Sequence, residues 1–186
     1  MQKKPMSYFV LVISAVTLLL TSITATADTA AEIDRDVDNA IQKLYARSSV
    51  AKELSTIAKA ILVFPKIVKG GLIIGGQYGE GALRAGGKTQ GYYSTAAASY
   101  GLQAGVQSFG YAMFFMTDEA LAYLKKSKGW EVGVGPSFVV VDEGMAGSLT
   151  TTTAKEGIYV FFFDQKGLMA GLGIQGTKIK RIEPDQ

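Results

Sequence analysis

The side chains that could do chemistry in this chain are carboxylates, lysines and tyrosines, because its 186 residues include neither histidine nor cysteine. The missing histidine removes the commonest general base and metal ligand, and the missing cysteine removes thiolate zinc sites, disulfides and thiol nucleophiles. A hydrolase would have to use two carboxylates, as glycosidases do. The acidic candidates are Glu80, Glu131, Asp142, Glu143 and Asp164. No spacing selects a pair among them, so we interpret them as solvated turn charges and predict a protein that is not an enzyme and that uses no metal or cofactor.

Two glycine-rich segments have the letters of nucleotide-binding motifs without the context of those motifs. The segment from Gly171 to Gly176 matches the dinucleotide fingerprint, but it lies in strand-like sequence, whereas that fingerprint links a strand to a helix. The segment from Gly75 to Gly81 lacks the Gly-Lys-Ser/Thr ending of a phosphate loop. We therefore interpret both segments as strands or turns with close backbone packing.

Basic residues occur in three clusters, of which the first combines cations with an apolar side chain and glycines. The clusters are Lys59, Lys66 and Lys69; Lys125, Lys126 and Lys128; and Lys178, Lys180 and Arg181. A solvated surface is the ordinary interpretation of each cluster. The first one also suits an anionic lipid headgroup, because its cations flank an apolar residue and flexible glycines. The predicted lipid site comprises the headgroup ligands Lys59, Lys66 and Lys69, an apolar wedge at Phe64, and the close-approach glycines Gly70, Gly71, Gly75 and Gly76.

Helical periodicity predicts three helices. Residues 29–47 have an apolar stripe at helical spacing, with acidic residues concentrated in the N-terminal half. Ser48 or Ser49 is suited to cap a second helix that runs to about Ile61. Thr117 is suited to cap an internal helix, whose first turn is acidic and whose last turn is basic.

A glycine-rich sheet is predicted to follow the first two helices, with Pro65 closing the helical region or following its end. Short gaps between the strand-like runs favour antiparallel hairpins. The apolar run Ile158–Phe163 predicts a strand buried on both faces, or one whose outer face meets lipid or a partner. Gly133 and Gly135 alternate with valines, which predicts a strand with one glycine face. Strands are expected near 71–78, 81–86, 91–99, 101–107, 110–116, 130–135, 137–142, 147–153, 157–163, 168–175 and 177–182.

These elements predict an α+β fold. The sheet is expected to be a strongly curved or barrel-like antiparallel Gly-rich β-sheet, because glycines permit sharp bends and close packing. Two N-terminal helices and one internal helix are expected to pack on it.

Residues 1–27 have the order of a secretory signal peptide, with two lysines near the start, an apolar stretch over residues 8–20 and small residues ending at Ala27. The apolar stretch is shorter than the roughly 20 residues that span a bilayer as a helix. We predict cleavage near Ala27, one domain over residues 28–186 and a periplasmic or secreted protein, with a retained membrane anchor as the alternative. Cleavage would leave 17 basic and 16 acidic residues. We expect no binding to nucleic acid, since that affinity depends on neutralising phosphates.

Five separated segments carry distinctive glycine-rich or apolar patterns. They are AKAILVFPKIVKGGL at 58–72, GGQYGEG at 75–81, YGLQAGVQS at 100–108, MTDEAL at 116–121 and KGLMAGL at 166–172. These segments resemble the SYLF (Ysc84-like) family of lipid-binding domains: the first is similar to the opening signature of the family, and the later ones follow in the family's order. The resemblance covers about residues 57–182.

The resemblance implies a mixed α/β domain that binds phospholipid without catalysis. Eukaryotic members bind phosphoinositides and, in some cases, actin filaments, but an exported chain would not meet actin. We therefore expect an anionic phospholipid or membrane surface as the partner. In the eukaryotic domains an N-terminal amphipathic helix touches the membrane. The corresponding segment 29–47 has an acidic polar face, unlike most membrane-surface helices, so we expect the first lysine cluster to make the contact instead.

A second interpretation stays open alongside lipid binding. The chain could be a structural or protein-interaction module of the envelope that has no lipid ligand. Its apolar strands would then form a contact with a partner or with a second copy of the chain, as a homo-oligomer.

Overall fold

The computed structural model describes residues 28–71, 74–100, 105–167, 174 and 176–185. The predicted signal segment 1–27 lies outside these residues. So do nearly all of the strand predicted at 168–175 and of the dinucleotide-like segment. Among the described residues, no helix has the length and apolar character needed to cross a membrane.

The first helix, α1, spans Ala30–Arg47 as its apolar stripe predicts. It begins with a complete capping box, in which the Thr29 hydroxyl accepts the Glu32 N–H at 3.3 Å and the Glu32 carboxylate accepts the Thr29 N–H at 2.9 Å. Hydrogen bonds from the backbone and then the hydroxyl of Thr29 lower the pKa of Glu32. The buried residues of the helix are Ile33, Val37, Ala40 and Leu44.

The second helix, α2, is capped as predicted but is shorter than predicted. The Ser48 hydroxyl accepts the Ala51 N–H at 3.1 Å, and the helix spans Ser49–Ser55. Ile61 lies in a strand, so the predicted helix end near this residue is wrong. The run of β-branched and aromatic residues that begins at Ile61 favours extended backbone over helix.

Two further helices follow later in the chain. Helix α3 spans Asp118–Lys126, and the Thr117 hydroxyl accepts the Ala120 N–H at 3.2 Å, as the sequence predicts. A short helix, α4, spans Glu143–Ala146 and was not predicted.

Eight strands form one sheet in the order β5-β8-β3-β2-β1-β4-β7-β6. All neighbouring strands are antiparallel except β6 and β7, which are parallel. The predicted α+β class is therefore confirmed, and the sheet is mixed at one edge rather than wholly antiparallel. The strands are β1 Ala60–Gly71, β2 Ile74–Ala85, β3 Lys88–Tyr100, β4 Gly105–Phe115, β5 Trp130–Glu131, β6 Phe138–Val140, β7 Ile158–Gly167 and β8 Lys178–Ile182.

The sheet curls into a half-barrel, which confirms the predicted strong curvature. The ring centroids of Trp130 on β5 and Phe115 on β4 lie 6.2 Å apart, although four strands separate β5 from β4 within the sheet. The concave side, here called the inner face, holds one hydrophobic core against which α3 packs through Ala120 and Leu124. The convex side, here called the outer face, holds a second core against α1 and α2.

At Pro65, β1 bulges against both of its neighbours. Proline is tolerated there because a bulge does not need its missing N–H. Glycines on the neighbouring strands make room. A Cβ atom on Gly79 would lie 2.6 Å from the Lys66 carbonyl oxygen, and one on Gly110 would lie 2.8 Å from the Pro65 carbonyl oxygen. Pro65 lies within β1, beyond the end of α2 at Ser55, so it follows the helical region and does not close it.

The apolar run Ile158–Phe163 is buried on both faces of the sheet, as one of the two interpretations predicted. Tyr159, Phe161 and Phe163 pack against the helices of the outer face, while Ile158 and Val160 belong to the inner core.

The strands predicted between residues 130 and 153 are shortened or absent. Gly133 and Gly135 have φ angles of 103° and 95°, a left-handed conformation that ends β5 after Glu131. The predicted glycine-faced strand is therefore wrong. The segment predicted as a strand at 147–153 forms turns, in which threonine hydroxyls bond to the nearby backbone instead of leaving it to a ladder.

Candidate functional site

Glycines lie opposite one another at the end of the sheet where β1 leads into β2 and β3 leads into β4. We call this region the glycine end. In the register of the sheet, Gly71 lies opposite both Gly75 and Gly105, and Gly70 lies opposite Gly76. The glycine end comprises residues 68–71, 74–78, 96–100 and 105–108.

Helix α1 leaves the outer face of the glycine end uncovered. The Asp28 N–H, just before the helix, donates to Glu80 Oε2 at 3.3 Å. Farther along β2, Arg84 bonds to Asp38 in the third turn of the helix at 2.7 Å. The helix therefore starts at the level of Glu80 and runs away from the hairpin tips.

The uncovered outer face is apolar. Successive residues of a strand point to opposite faces, and register partners share a face. By this alternation Val68, Ile74, Tyr78 and Val106 all project from the outer face, with exposed fractions of 45%, 73%, 51% and 69%. Contiguous exposed apolar residues of this kind mark sites of interaction with protein or membrane.

Lysines border this apolar surface on three sides. One row of register partners runs from Lys178 through Tyr78 and Val68 to Lys166, so a lysine stands on either side of the apolar residues. Beyond Lys178, the exposed Glu131 on β5 continues the row. The next row places Lys180 and Lys66 on the same face. All four are exposed, and none forms an ion pair within the part of the chain that the structure describes. We call the eight residues Val68, Ile74, Tyr78, Val106, Lys66, Lys166, Lys178 and Lys180 the outer patch.

Glu80 brings negative charge to the border of the outer patch. It accepts a hydrogen bond from the Tyr78 hydroxyl at 2.5 Å. Burial, followed by this hydrogen bond and the charge of Glu80, raises the pKa of Tyr78 to about 12. Burial and then Glu80 also raise the pKa of Asp28, which Lys66 opposes. The tyrosine therefore stays neutral at physiological pH and presents a phenol to the patch.

The inner face of the glycine end has a polar row. Gln77, Lys69 and Gln107 are register partners on three adjacent strands and share the inner face. Gln77 Nε2 donates to Thr177 Oγ1 at 3.3 Å. Gln107 is only 1% exposed. Towards the hairpin tips, the next row has glycine on three adjacent strands, at Gly71, Gly75 and Gly105, so bare backbone adjoins the polar row there.

The structure does not bring the three predicted headgroup lysines together. Lys66 projects from the outer face, and Lys69 projects from the inner face. Lys59 precedes β1 and forms an ion pair with Asp118 at 3.2 Å. Ten residues of strand separate Lys59 from Lys69, or about 30 Å at the usual rise per residue. Lys59 instead lines a cavity of about 480 Å³ at the opposite end, which Tyr45 also lines.

Phe64 is fully buried in the inner core, where its ring lies 5.0 Å from that of Tyr111. The prediction of an apolar wedge at Phe64 is therefore wrong. The sequence places Phe64 beside lysines, but the bulge at Pro65 turns its side chain inwards while Lys66 points outwards.

The predicted close-approach glycines differ in whether a larger side chain would fit at their positions. A Cβ atom on Gly71 would lie 2.7 Å from the Ile74 carbonyl oxygen, so this position needs glycine for a tight hairpin. A Cβ atom would meet its nearest neighbour at 3.8 Å on Gly70 and 3.6 Å on Gly76, which are ordinary contacts. Gly75 lies opposite Gly71 in the register. The close approach serves the backbone of the sheet itself at Gly71.

The acidic candidates make structural contacts. Asp142 caps α4 by accepting the Met145 N–H at 2.8 Å, and Asp164 bonds to Arg47 at 2.7 Å. Glu80, Glu131 and Asp164 lie on strands, so their interpretation as turn charges is wrong. No cluster of three acidic residues suited to a metal ion occurs within the described ranges. The side chain of Glu143 lies outside the described residues.

Sequence reasoning missed Lys166 and Gln107, and it assigned Lys178 and Lys180 to ordinary solvated surface. Lys178 and Lys180 alternate with the buried Ile179, so they share one face of β8. Their approach to Lys66 depends on β8 pairing with β3 and β7 pairing with β4, and no local sequence signal specifies those pairings.

Comparison with known proteins gives one match. Residues 96–183 match the sequence profile of the Ysc84 family, which is described as Las17-binding protein actin regulator. The matched span runs from within β3 to the residue after β8 and includes Gln107 and three of the four lysines of the outer patch. The opening segment at 58–81 precedes the match. No curated protein matches the chain.

Proposed function

We propose that this chain, which belongs to the Ysc84-like (SYLF) family, binds the surface of membranes that contain anionic phospholipid. The contact is the outer patch, and the observation that supports it best is the border of four exposed lysines around an exposed apolar face. The role is binding without catalysis.

The composition of the outer patch suits an anionic membrane in two ways. Its apolar side chains would enter the region between headgroups and acyl chains, where they leave water. Each lysine near such a surface contributes about 1 kcal/mol of attraction, which salt screens. The four lysines together therefore supply roughly 4 kcal/mol at low salt, enough to retain the protein at the surface.

Helix α1 is a poorer candidate for the contact. Its apolar stripe is already buried against the sheet, with Ile33 and Val37 almost inaccessible. Its polar face includes Asp34, Asp36 and Asp38, whereas helices that lie on membranes have basic residues there. We therefore assign the membrane contact to the sheet.

Export remains part of the proposal. The nitrogen of Asp28, which donates to Glu80 at 3.3 Å, would become a cationic α-amine after cleavage at Ala27, and an ion pair with Glu80 would replace the hydrogen bond. An exported chain would not meet actin, so the actin regulation in the family description is not carried over to this protein. Mass spectrometry of the exported protein tests this, and an intact N-terminal segment would contradict it.

Vesicle co-sedimentation tests the proposed function. The protein, expressed from the full sequence, is mixed with vesicles of phosphatidylcholine alone or of phosphatidylcholine with phosphatidylglycerol. We expect binding to the mixed vesicles only, and weaker binding as salt rises. The double variant Val68→Thr with Val106→Thr loses about 1–2 kcal/mol of apolar transfer free energy, so its partition coefficient between vesicles and solution should fall roughly tenfold.

A matched double variant controls for the loss of exposed valine. Val134→Thr with Val140→Thr changes two exposed valines outside the outer patch and should bind like the unaltered protein. Equal binding to both kinds of vesicle, or no effect of the Val68 and Val106 changes, would contradict the proposal. Light scattering on the same variants tests the alternative of an interaction module. An oligomer that does not bind lipid, and that dissociates when Val68 and Val106 are changed, would identify the patch as a protein contact.

A further inference from the structure

We infer that the inner face of the glycine end is a second binding site, in which Lys69 and Gln107 hold a phosphate ester that has a free hydroxyl group. The ligand belongs to the glycerol phosphate class, either free or as the headgroup of a lipid. The inference rests on the proposed function only for the lipid source, since the site lies on the opposite face from the outer patch.

Gln107 is the residue that points to a ligand. Its side chain is 1% exposed, and neither its Nε2 nor its Oε1 atom has a hydrogen-bond partner within the described part of the chain. Buried amide groups nearly always form hydrogen bonds, because an amide that is buried without a partner loses its hydrogen bonds to water and gains none in the protein. An amide with both ends unpaired calls for a partner that accepts at one atom and donates at the other.

Lys69 supplies the charge beside this amide. It lies directly opposite Gln107 in the register of β1 and β4, so their Cβ atoms are about 5 Å apart on the same face. Lys69 is half-buried and forms no ion pair among the described residues. The Lys69 ammonium and Gln107 Nε2 are both donors, which suits the oxygens of one phosphate, and Gln107 Oε1 is an acceptor, which suits a hydroxyl.

The neighbouring rows define a floor and an entrance. Ile67 and Phe109, one row towards the core, are buried and close the site with apolar side chains. Gly71 and Gly105, one row towards the tips, leave bare backbone. Among the described residues, a Cβ atom on Gly105 would meet nothing within 4 Å, so we assign the entrance to this side.

Titration with glycerol 3-phosphate, followed by NMR, tests the inference. The side-chain amide signal of Gln107 is assigned from its absence in the Gln107→Leu variant of the full-length protein. We expect a saturable shift of this signal, and an affinity at least tenfold weaker in Lys69→Met. Gln107→Leu should abolish binding yet raise the melting temperature, because it replaces a buried unpaired amide with an apolar side chain.

Lys66→Met is the matched control, since it removes a lysine from the other face of the same strand. It should weaken binding to phosphatidylglycerol vesicles and leave the glycerol 3-phosphate titration unchanged. Inorganic phosphate, which has no glycerol hydroxyl, should bind more weakly than glycerol 3-phosphate. Titration with short-chain soluble phosphatidylglycerol shows whether the ligand is a lipid headgroup or a free phosphate ester. A shift with either ester ligand supports the site.

Two results would overturn the inference. One is a Gln107 signal that no phosphate ester moves, which would mean that water alone occupies the site. The other is a shift that persists unchanged in Lys69→Met. The two proposals fail separately, because a protein that ignores vesicles but still shifts at Gln107 would refute the outer patch and retain the inner site.

Discussion

Tyr78 is the outer-patch residue whose ionisation reports its environment. Burial and Glu80 raise its pKa to about 12, whereas an unfolded tyrosine ionises near 10. The folded protein thus holds this proton more tightly, and the resulting stability is complete below about pH 10 and is lost as the pH rises through about 12. We expect the carbon-13 signal of the Tyr78 ring to titrate near pH 12, and Glu80→Gln to lower that pKa towards the ordinary value.

The Tyr78→Phe variant identifies the signal and serves as its control. Glu80→Gln should not restore the ordinary pKa completely, since burial is the largest cause of the shift. A Tyr78 signal that titrates near pH 10 in the unaltered protein would contradict both the burial of this side chain and its hydrogen bond to Glu80.

The candidate site was only partly predictable at the scale of single residues. Lys66, with the glycines beside it, was found because it lies beside the hairpin that forms the glycine end. Phe64 and Lys59 were assigned to the same site from proximity along the chain. Alternation along a strand separates neighbours onto opposite faces, and a bulge reverses the alternation, so nearness in sequence could not show which side chains meet.

The bulge in β1 and the glycines around it form the element on which the curvature depends. A Cβ atom on Gly79 would meet the Lys66 carbonyl oxygen at 2.6 Å and Ile67 Cγ1 at 2.8 Å, so Gly79→Ala must displace β1. We expect it to lower the free energy of unfolding by about 1–3 kcal/mol, measured by urea denaturation.

Gly76→Ala is the matched control on the same strand. Its Cβ atom would lie 3.6 Å from the Ala97 carbonyl oxygen, an ordinary contact, so the change should be neutral or stabilise the protein by up to about 1 kcal/mol. Equal destabilisation by both substitutions would mean that glycine matters throughout β2 and not specifically beside the bulge.

Helix starts were the most predictable elements, because each begins at a residue whose hydroxyl caps the helix, namely Thr29, Ser48 and Thr117. The end of α2 was missed because tertiary pairing of Ile61 in the sheet outweighs the helical spacing that continues to it. The strand predicted at 147–153 failed for a similar reason, since threonines favour strands by propensity but here bond to their own turns.

At the scale of the whole molecule, the helices leave one end of the sheet without a helix on either face, within the part of the chain that the structure describes. Helices α1 and α2 cover the outer face at the far end, and α3 packs on the inner face. None of these three helices reaches the glycine end. The fold class and the curvature were predictable from glycine content and short gaps. The strand order was not, because it depends on contacts between distant segments, and the outer patch exists only through that order.

Vesicle binding by two variants of equal charge tests most directly whether the outer patch holds the protein on anionic membranes. One variant changes the four outer-patch lysines, Lys66, Lys166, Lys178 and Lys180, to Gln. The other changes four exposed lysines elsewhere on the molecule, Lys52, Lys88, Lys125 and Lys126, to Gln. At about 1 kcal/mol for each lysine, the first variant should lose more than 100-fold in partition into phosphatidylglycerol-containing vesicles, and the second less than tenfold. Equal losses in the two variants would show that net charge alone governs binding, and would contradict a membrane contact at the outer patch.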